Sequence, residues 1–172
     1  MAKVLPFLAL LALVYALPAA SGGGGVIVGS GRSFRDLLRN YGLPAGLIPR
    51  AIESFDLDPS SGLLEVRLHR TCYARYDAGL AYFDRVVRGN LSYGALSGVV
   101  GWSQEELFLW FPVKGLLIAD PSSGVILFDI GLAQKHLSVS AFEDPPDCQP
   151  AALAIFGEDE EPRGDWISVD SS

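Results

Sequence analysis

The chain of 172 residues has little of what metal and redox chemistry needs: two cysteines and two histidines. Cys72, Cys148, His69 and His136 stand in no C-x-x-C or H-E-x-x-H spacing, so any zinc site would have to be assembled from distant positions. No G-x-S-x-G elbow occurs, which weighs against an α/β-hydrolase. Basic residues are scarce, with 13 Lys and Arg against 20 Asp and Glu, a net charge of −7. Nucleic-acid affinity rests largely on cationic side chains that neutralise phosphates, and nucleic acid is therefore not an expected partner. No apolar run reaches the ~18 to 20 residues that span a bilayer, so no integral membrane span is expected. The glycines of residues 21–31 meet a loose G-x-G spacing. No predicted strand precedes them, and without the strand–turn–helix context a phosphate cradle is not expected. No cofactor is expected either.

What the chain does have begins at its first residues. Lys3 precedes an apolar run from Val4 to Leu17, broken only by Pro6, and Pro18-Ala19-Ala20-Ser21-Gly22 offers small residues to a signal peptidase. This predicts a secretory signal over residues 1–21 and a secreted, extracellular protein. Loss of the signal removes Lys3 and no other charge, leaving 12 basic against 20 acidic residues, or −8. Of this, −5 lies beyond Pro150, where Glu158, Asp159, Glu160, Glu161, Asp165 and Asp170 face Arg163 alone. The reading divides the chain into a flexible Gly-rich leader (22–32), one β-rich domain (33–149) and an acidic, disordered tail (150–172).

In an oxidising compartment two thiols in one small domain most often pair, which predicts a Cys72–Cys148 disulfide. The bond would close a loop of about 77 residues, for which chain entropy gives an upper figure of about 4.5 kcal/mol. The alternative is a catalytic thiol, and only His69 and His136 could serve it as a base.

Phe34, Leu37, Leu38 and Tyr41 recur at helical spacing, with Ser33 and Asp36 resembling a capping box, and predict a short helix over 33–41. Beyond Pro49 the period becomes two. Leu64, Val66 and Leu68 alternate with Glu65, Arg67 and His69, and strands are predicted at 64–68, 82–88, 91–100, 105–113, 116–120 and 125–130. Strands at such short spacing imply an antiparallel sheet folded on itself as a sandwich, roll or partial barrel. The segment Asp-Pro-Ser-Ser-Gly occurs twice, at 58–62 and 120–124. Asp bonds the backbone, Pro fixes φ and Gly takes positive φ, so both are predicted hairpin turns.

Several residues are weighed for function. His69 reads as a solvent-exposed strand histidine and His136 as a loop residue beside Lys135. Asp129 is a carboxylate within an apolar strand; facing the core, its pKa would rise and mark a functional group, whereas at an outward strand end it is solvated, the reading preferred here. Trp102, Phe108, Trp110 and Phe111 form an aromatic stripe that either fills a core or lines an apolar pocket. Asn90-Leu91-Ser92 is a sequon, with Asn90 either in a turn after Gly89 or in a paired strand.

Five stretches together carry a resemblance: Tyr41-Gly42-Leu43-Pro44-Ala45-Gly46-Leu47-Ile48-Pro49; Cys72-Tyr73; residues 91–99 (Leu-Ser-Tyr-Gly-Ala-Leu-Ser-Gly-Val); residues 107–113 (Leu-Phe-Leu-Trp-Phe-Pro-Val); and residues 141–148, ending in Cys148. In order and spacing they resemble the plant domain of unknown function 538 family. The resemblance implies a secreted plant protein with a mainly β fold, a curved mixed or antiparallel sheet closing into a pseudo-barrel or roll, with a short N-terminal helix. The family has been likened to lipid-binding proteins and to chlorophyll-hydrolysing esterases, and neither proposal assigns a residue role. Gly42, Leu43, Pro44, Gly46, Leu47 and Pro49 form its loop motif, whose expected role is structural. Gly42 ends the helix, the prolines stiffen the connection, and Leu43 and Leu47 anchor it.

These readings converge on a secreted binding module for a lipid or other apolar small molecule. The alternatives are an esterase-type hydrolase of chlorophyll or lipid esters, with Ser97 or Ser103 and His69 as candidates, and an extracellular interaction protein without a ligand cavity. An apolar cavity of at least ~300 Å³ favours the first, a serine within ~3.2 Å of a histidine nitrogen the second, and a solid core the third.

Overall fold

Period-two alternation needs a partner for each backbone edge, and the chain supplies most of these partners by hairpins between consecutive strands. The computed structural model describes residues 25–150, so the signal and nearly all of the acidic tail lie outside the described residues. The described elements are β1 (Ile27–Gly29), α1 (Gly31–Asn40), β2 (Ile52–Leu57), β3 (Leu63–Leu68), β4 (Cys72–Tyr76), β5 (Gly79–Ser92), β6 (Ala95–Glu106), β7 (Leu109–Pro112), β8 (Gly115–Leu117), β9 (Val125–Asp129), β10 (Gln134–Ser138) and a 3₁₀ turn at Val139–Phe142.

All strand pairs are antiparallel, in the order β1-β2-β3-β5-β6-β8-β9-β10, with β4 beside β5 and β7 beside β6. The long β5–β6 hairpin is the spine. Its distal half lies between β3 and β8, its proximal half between β4 and β7. A register shift between Phe83 and Arg88 marks the change of neighbours, as expected where a bulged strand bends and twists.

The curl brings inner faces together. Phe83 lies 5.0 Å from Trp102, Trp102 5.3 Å from Phe128, and Phe128 is stacked 5.2 Å from Phe142. These rings, with Phe34 of α1 tilted against Phe55 of β2 at 5.2 Å, form one continuous core. The Lys135 ammonium on β10 is ion-paired with Glu106 at the end of β6, a side-chain clasp across the curl. The terminal strands β1 and β10 are nevertheless not paired to each other. The mainly β, antiparallel fold with one short N-terminal helix is as expected, but the sheet is not closed by hydrogen bonds into a barrel.

Other details depart from the sequence reading. The helix starts at Gly31 because Ser33, taken as its first capping residue, instead serves the cap at Ser30. Ser33 Oγ accepts from the Ser30 N–H at 3.1 Å and donates to the Ser30 carbonyl at 2.8 Å. Residues assigned to the flexible leader form β1, which pairs with β2. The break expected near Gly89 falls at Tyr93–Gly94, so β5 runs unbroken to Ser92. The single strand expected over 105–113 is a hairpin reversing at Leu107 and Phe108. Both Asp-Pro-Ser-Ser-Gly segments join neighbouring antiparallel strands, β2 to β3 and β8 to β9, with Gly62 at φ +75° and Gly124 at φ +65°.

Candidate functional site

The loop motif is a clasp. After α1, the Gly42 N–H donates to the Arg39 carbonyl at 2.9 Å and the Leu43 N–H to the Leu38 carbonyl at 2.9 Å, the paired bonds that satisfy a helix C-terminus when glycine turns left-handed. Leu43, Pro44, Leu47 and Pro49 are buried behind it. The Gly46 N–H donates to the Phe142 carbonyl at 2.8 Å, and a Cβ on Gly46 would lie 2.5–2.6 Å from Asp144 and Phe142 backbone atoms. The Arg50 N–H bonds the Pro146 carbonyl at 3.0 Å, its guanidinium the Pro145 carbonyl at 2.8 Å, and the Tyr76 hydroxyl donates to the Leu47 carbonyl at 2.9 Å. Burial pushes the Tyr76 phenol well above its ordinary pKa. Cys72 and Cys148 are joined in a disulfide, their Cα atoms 5.1 Å apart, and Gln149 pairs with Tyr73. Two separate motifs of the sequence thus interlock.

The interior offers no ligand chamber among the described residues. Trp102, Phe34, Phe55, Phe83, Phe128 and Phe142 fill it, and the recess between α1 and the sheet has a volume of about 10 Å³. A larger apolar recess lies outside, on the surface of β6, β8 and β9. Cross-strand register sets Ala95 beside Leu117 and Leu117 beside Leu127, then Ser97 beside Gly115 and Gly115 beside Asp129. Together with Leu96, Leu116 and Gln134 they line a trough of about 270 Å³. Asp129 sits at its polar end, exposed, with Oδ1 accepting from the Gly131 N–H at 2.8 Å; it is the solvated strand-end carboxylate, not a core one.

The structure does not unite the hydrolase candidates. Ser97 and Ser103 are on β6, and His69 follows β3 with its N–H bonded to the Ala51 carbonyl at 3.0 Å. His136, expected in a loop, is on β10 opposite Leu127. Among the described residues no hydrogen bond joins a serine to a histidine, and no three His, Cys, Asp or Glu side chains cluster as metal ligands. No described helix is long and apolar enough to cross a membrane. Asn90 is in paired β5, exposed, with Nδ2 donating to the Ser61 carbonyl at 2.6 Å.

These positions place the motifs of the sequence at structural joints, and a family model for proteins of unknown function, DUF538, matches residues 34–143. The chain belongs to the DUF538 family. It is also 27% identical over 109 residues to an uncharacterized protein of Arabidopsis thaliana, covering 63% of this chain and 61% of that relative. In this DUF538 chain the match takes in the 42–50 loop and ends at residue 143, just past the Phe142 carbonyl that Gly46 contacts.

The aromatic stripe splits. Trp102 is buried, while the β6–β7 hairpin carries Leu107 at φ +49° and Phe108 at φ +67°, 89% and 91% exposed. Behind this apex, Leu109 is exposed and Trp110 is 40% exposed. The Trp110 ring meets Tyr73 at 5.7 Å and Tyr82 at 6.3 Å, edge-on at 71° and 75°. Burial first, then the Asp84 carboxylate, raises the Tyr82 pKa. The sequence reading recognised these aromatics but not the reversal between them, because Leu and Phe are poor turn residues and strong strand formers.

Proposed function

We propose that this DUF538 protein is a secreted plant binding module for a lipid or other apolar small molecule, held on the outside of its sheet. The observation that carries the reading is the trough over β6, β8 and β9, apolar along the outward row Ala95, Leu117 and Leu127 and polar where Ser97, Asp129 and Gln134 close it. Its volume lies just below the ~300 to 1,000 Å³ of small-molecule sites, which suits one acyl or prenyl segment rather than a whole lipid. The disulfide fits an oxidising, extracytosolic compartment. A hydrolase reading lacks the serine–histidine contact it requires.

The filled interior supports a second reading, an extracellular interaction protein without a ligand cavity. Titration with a fluorescent fatty acid and a fluorescent prenol separates the two. Saturable binding, weakened about tenfold or more by Leu117→Asp or Leu127→Asp, supports the trough; a wild-type protein that binds neither probe overturns it.

A further inference from the structure

We propose that the Leu107–Phe108 apex docks the protein on the surface of a zwitterionic lipid bilayer by inserting both side chains among the acyl chains. Four observations carry this, none of which uses the trough.

The first is cost without return. Two consecutive non-glycine residues hold left-handed φ in a two-residue hairpin turn, where Asn-Gly would fit with little strain. The side chains so positioned are almost wholly exposed, so no contact among the described residues offsets the strain. The second is shape. The apex is convex and only two residues wide, which suits a penetrable medium better than a flat protein face.

The third is the order of polarity. Hydrocarbon side chains stand outermost, Leu109 follows, and Trp110 with Tyr73 and Tyr82 lies behind them. Aromatic side chains with a polar tip gather at the boundary between acyl chains and water, and apolar insertion there reaches about 5–10 Å. The fourth is charge. Glu106, next to the apex, is paired with Lys135, which lowers the cost of bringing that carboxylate to a surface of low dielectric. The chain as a whole is acidic, at −7, and Glu105 flanks Trp110; both oppose an anionic leaflet and select a zwitterionic one.

Flotation of the full mature chain with phosphatidylcholine vesicles tests this. The wild-type protein is expected to float, and equally well in about 1 M salt, where the screening length is about 3 Å. The double variant Leu107→Asn, Phe108→Gly should partition at least about tenfold more weakly, since it removes two apolar anchors, while its thermal melt stays at or above that of wild type. Phe108→Trp should retain binding, and Leu117→Asp in the trough should leave it unchanged. The proposal is overturned if wild type stays in solution, if it floats only with anionic lipid and is released by salt, or if the double variant floats as well as wild type. It is also overturned if sedimentation shows a dimer that the double variant abolishes and no flotation, because the apex would then be covered by a second copy. Loss of probe binding in the trough variant with flotation intact separates this site from the proposed ligand site.

Discussion

The 42–50 loop and the β6–β7 apex are both short connections rich in leucine, and the molecule treats them in opposite ways. Leu43, Leu47 and Ile48 are buried, Leu47 and Ile48 between α1 and the sheet with Leu47 1% exposed, whereas Leu107 and Phe108 stand in solvent. Burying a leucine is worth about 1.5–3 kcal/mol, and the clasp collects that gain through backbone bonds from Gly46 and Arg50 to Phe142 and Pro146. The apex collects no such gain among the described residues and adds strain at two residues. Apolar character alone therefore does not mark a core position in this protein; what marks it is a partner segment to close over it.

The same substitution made in both places gives the sharpest test. Leu47→Ala empties a filled site between α1 and the sheet and should cost about 2–5 kcal/mol, read as a lowered denaturation midpoint at constant m. Leu107→Ala should shift stability by no more than about 0.5 kcal/mol. Equal losses at the two sites would break the comparison and place Leu107 in contact with part of the chain beyond residues 25–150.

The two Asp-Pro-Ser-Ser-Gly turns extend the comparison from residue type to surroundings. Each ties its serines to the leading aspartate, Ser60 N–H to Asp58 at 2.9 Å and Ser122 N–H to Asp120 at 2.8 Å. A Cβ on Gly62 would meet the Leu91 carbonyl at 2.7 Å, while one on Gly124 meets nothing within 4 Å. Gly124→Val should thus show positive-φ strain alone, about 1–2 kcal/mol, and Gly62→Val should exceed it by about 1 kcal/mol or more through the added clash. Thermal melts of the two variants compare them directly. Identical losses would mean that the β5 backbone yields to the new side chain.

What the sequence makes legible follows the same division between local and non-local causes. The turns, β3, the helix and the disulfide rest on nearest-neighbour chemistry or on compartment and count, and they stand in the structure with shifted ends. The reversal at Leu107–Phe108 was hidden because both residues favour strands and no glycine announces the turn. The trough was hidden for a different reason. It joins Ala95, Leu117 and Leu127 through cross-strand register, and alternation along one strand does not reveal which residue of another lies beside it. Likewise, Trp102 and Phe108 belong to one stripe in sequence, and only the bend of the β6–β7 hairpin sends one inward and the other out.

Reversing the sign of an effect is a stricter test than its size. Replacing Leu107-Phe108 by Asn-Gly substitutes the residues a left-handed two-residue hairpin turn prefers, so the melting temperature should rise, corresponding to about 1 kcal/mol or less. Nearly every other change in the sheet destabilises. A fall in the midpoint would show that the apex side chains hold contacts in the free protein, and would remove the strain from the case for an external partner.

The smallest expected effect concerns the charge that organises the first of the paired turns. Hydrogen bonds from the Ser60 and Ser61 hydroxyls and the Ser60 N–H hold the Asp58 carboxyl at a pKa of about 2, below the usual 3.8. Asp120 is lowered by Ser122 in the same way. A carboxylate whose pKa is depressed by folding contributes stability that is present in full above its unfolded value and is lost as pH falls through the folded one. For Asp58 that window runs from about pH 4 down to about 2. Both turns are open to water, so the slope should be shallow and should diminish in salt. Asp58→Asn keeps a side-chain acceptor for the Ser60 N–H but cannot titrate, and its stability between those pH values should fall less than that of wild type. Parallel curves for the two proteins would assign the acid sensitivity of the fold to other carboxylates, Glu65 first among them, because its bond from Arg88 at 2.6 Å lowers its pKa as well.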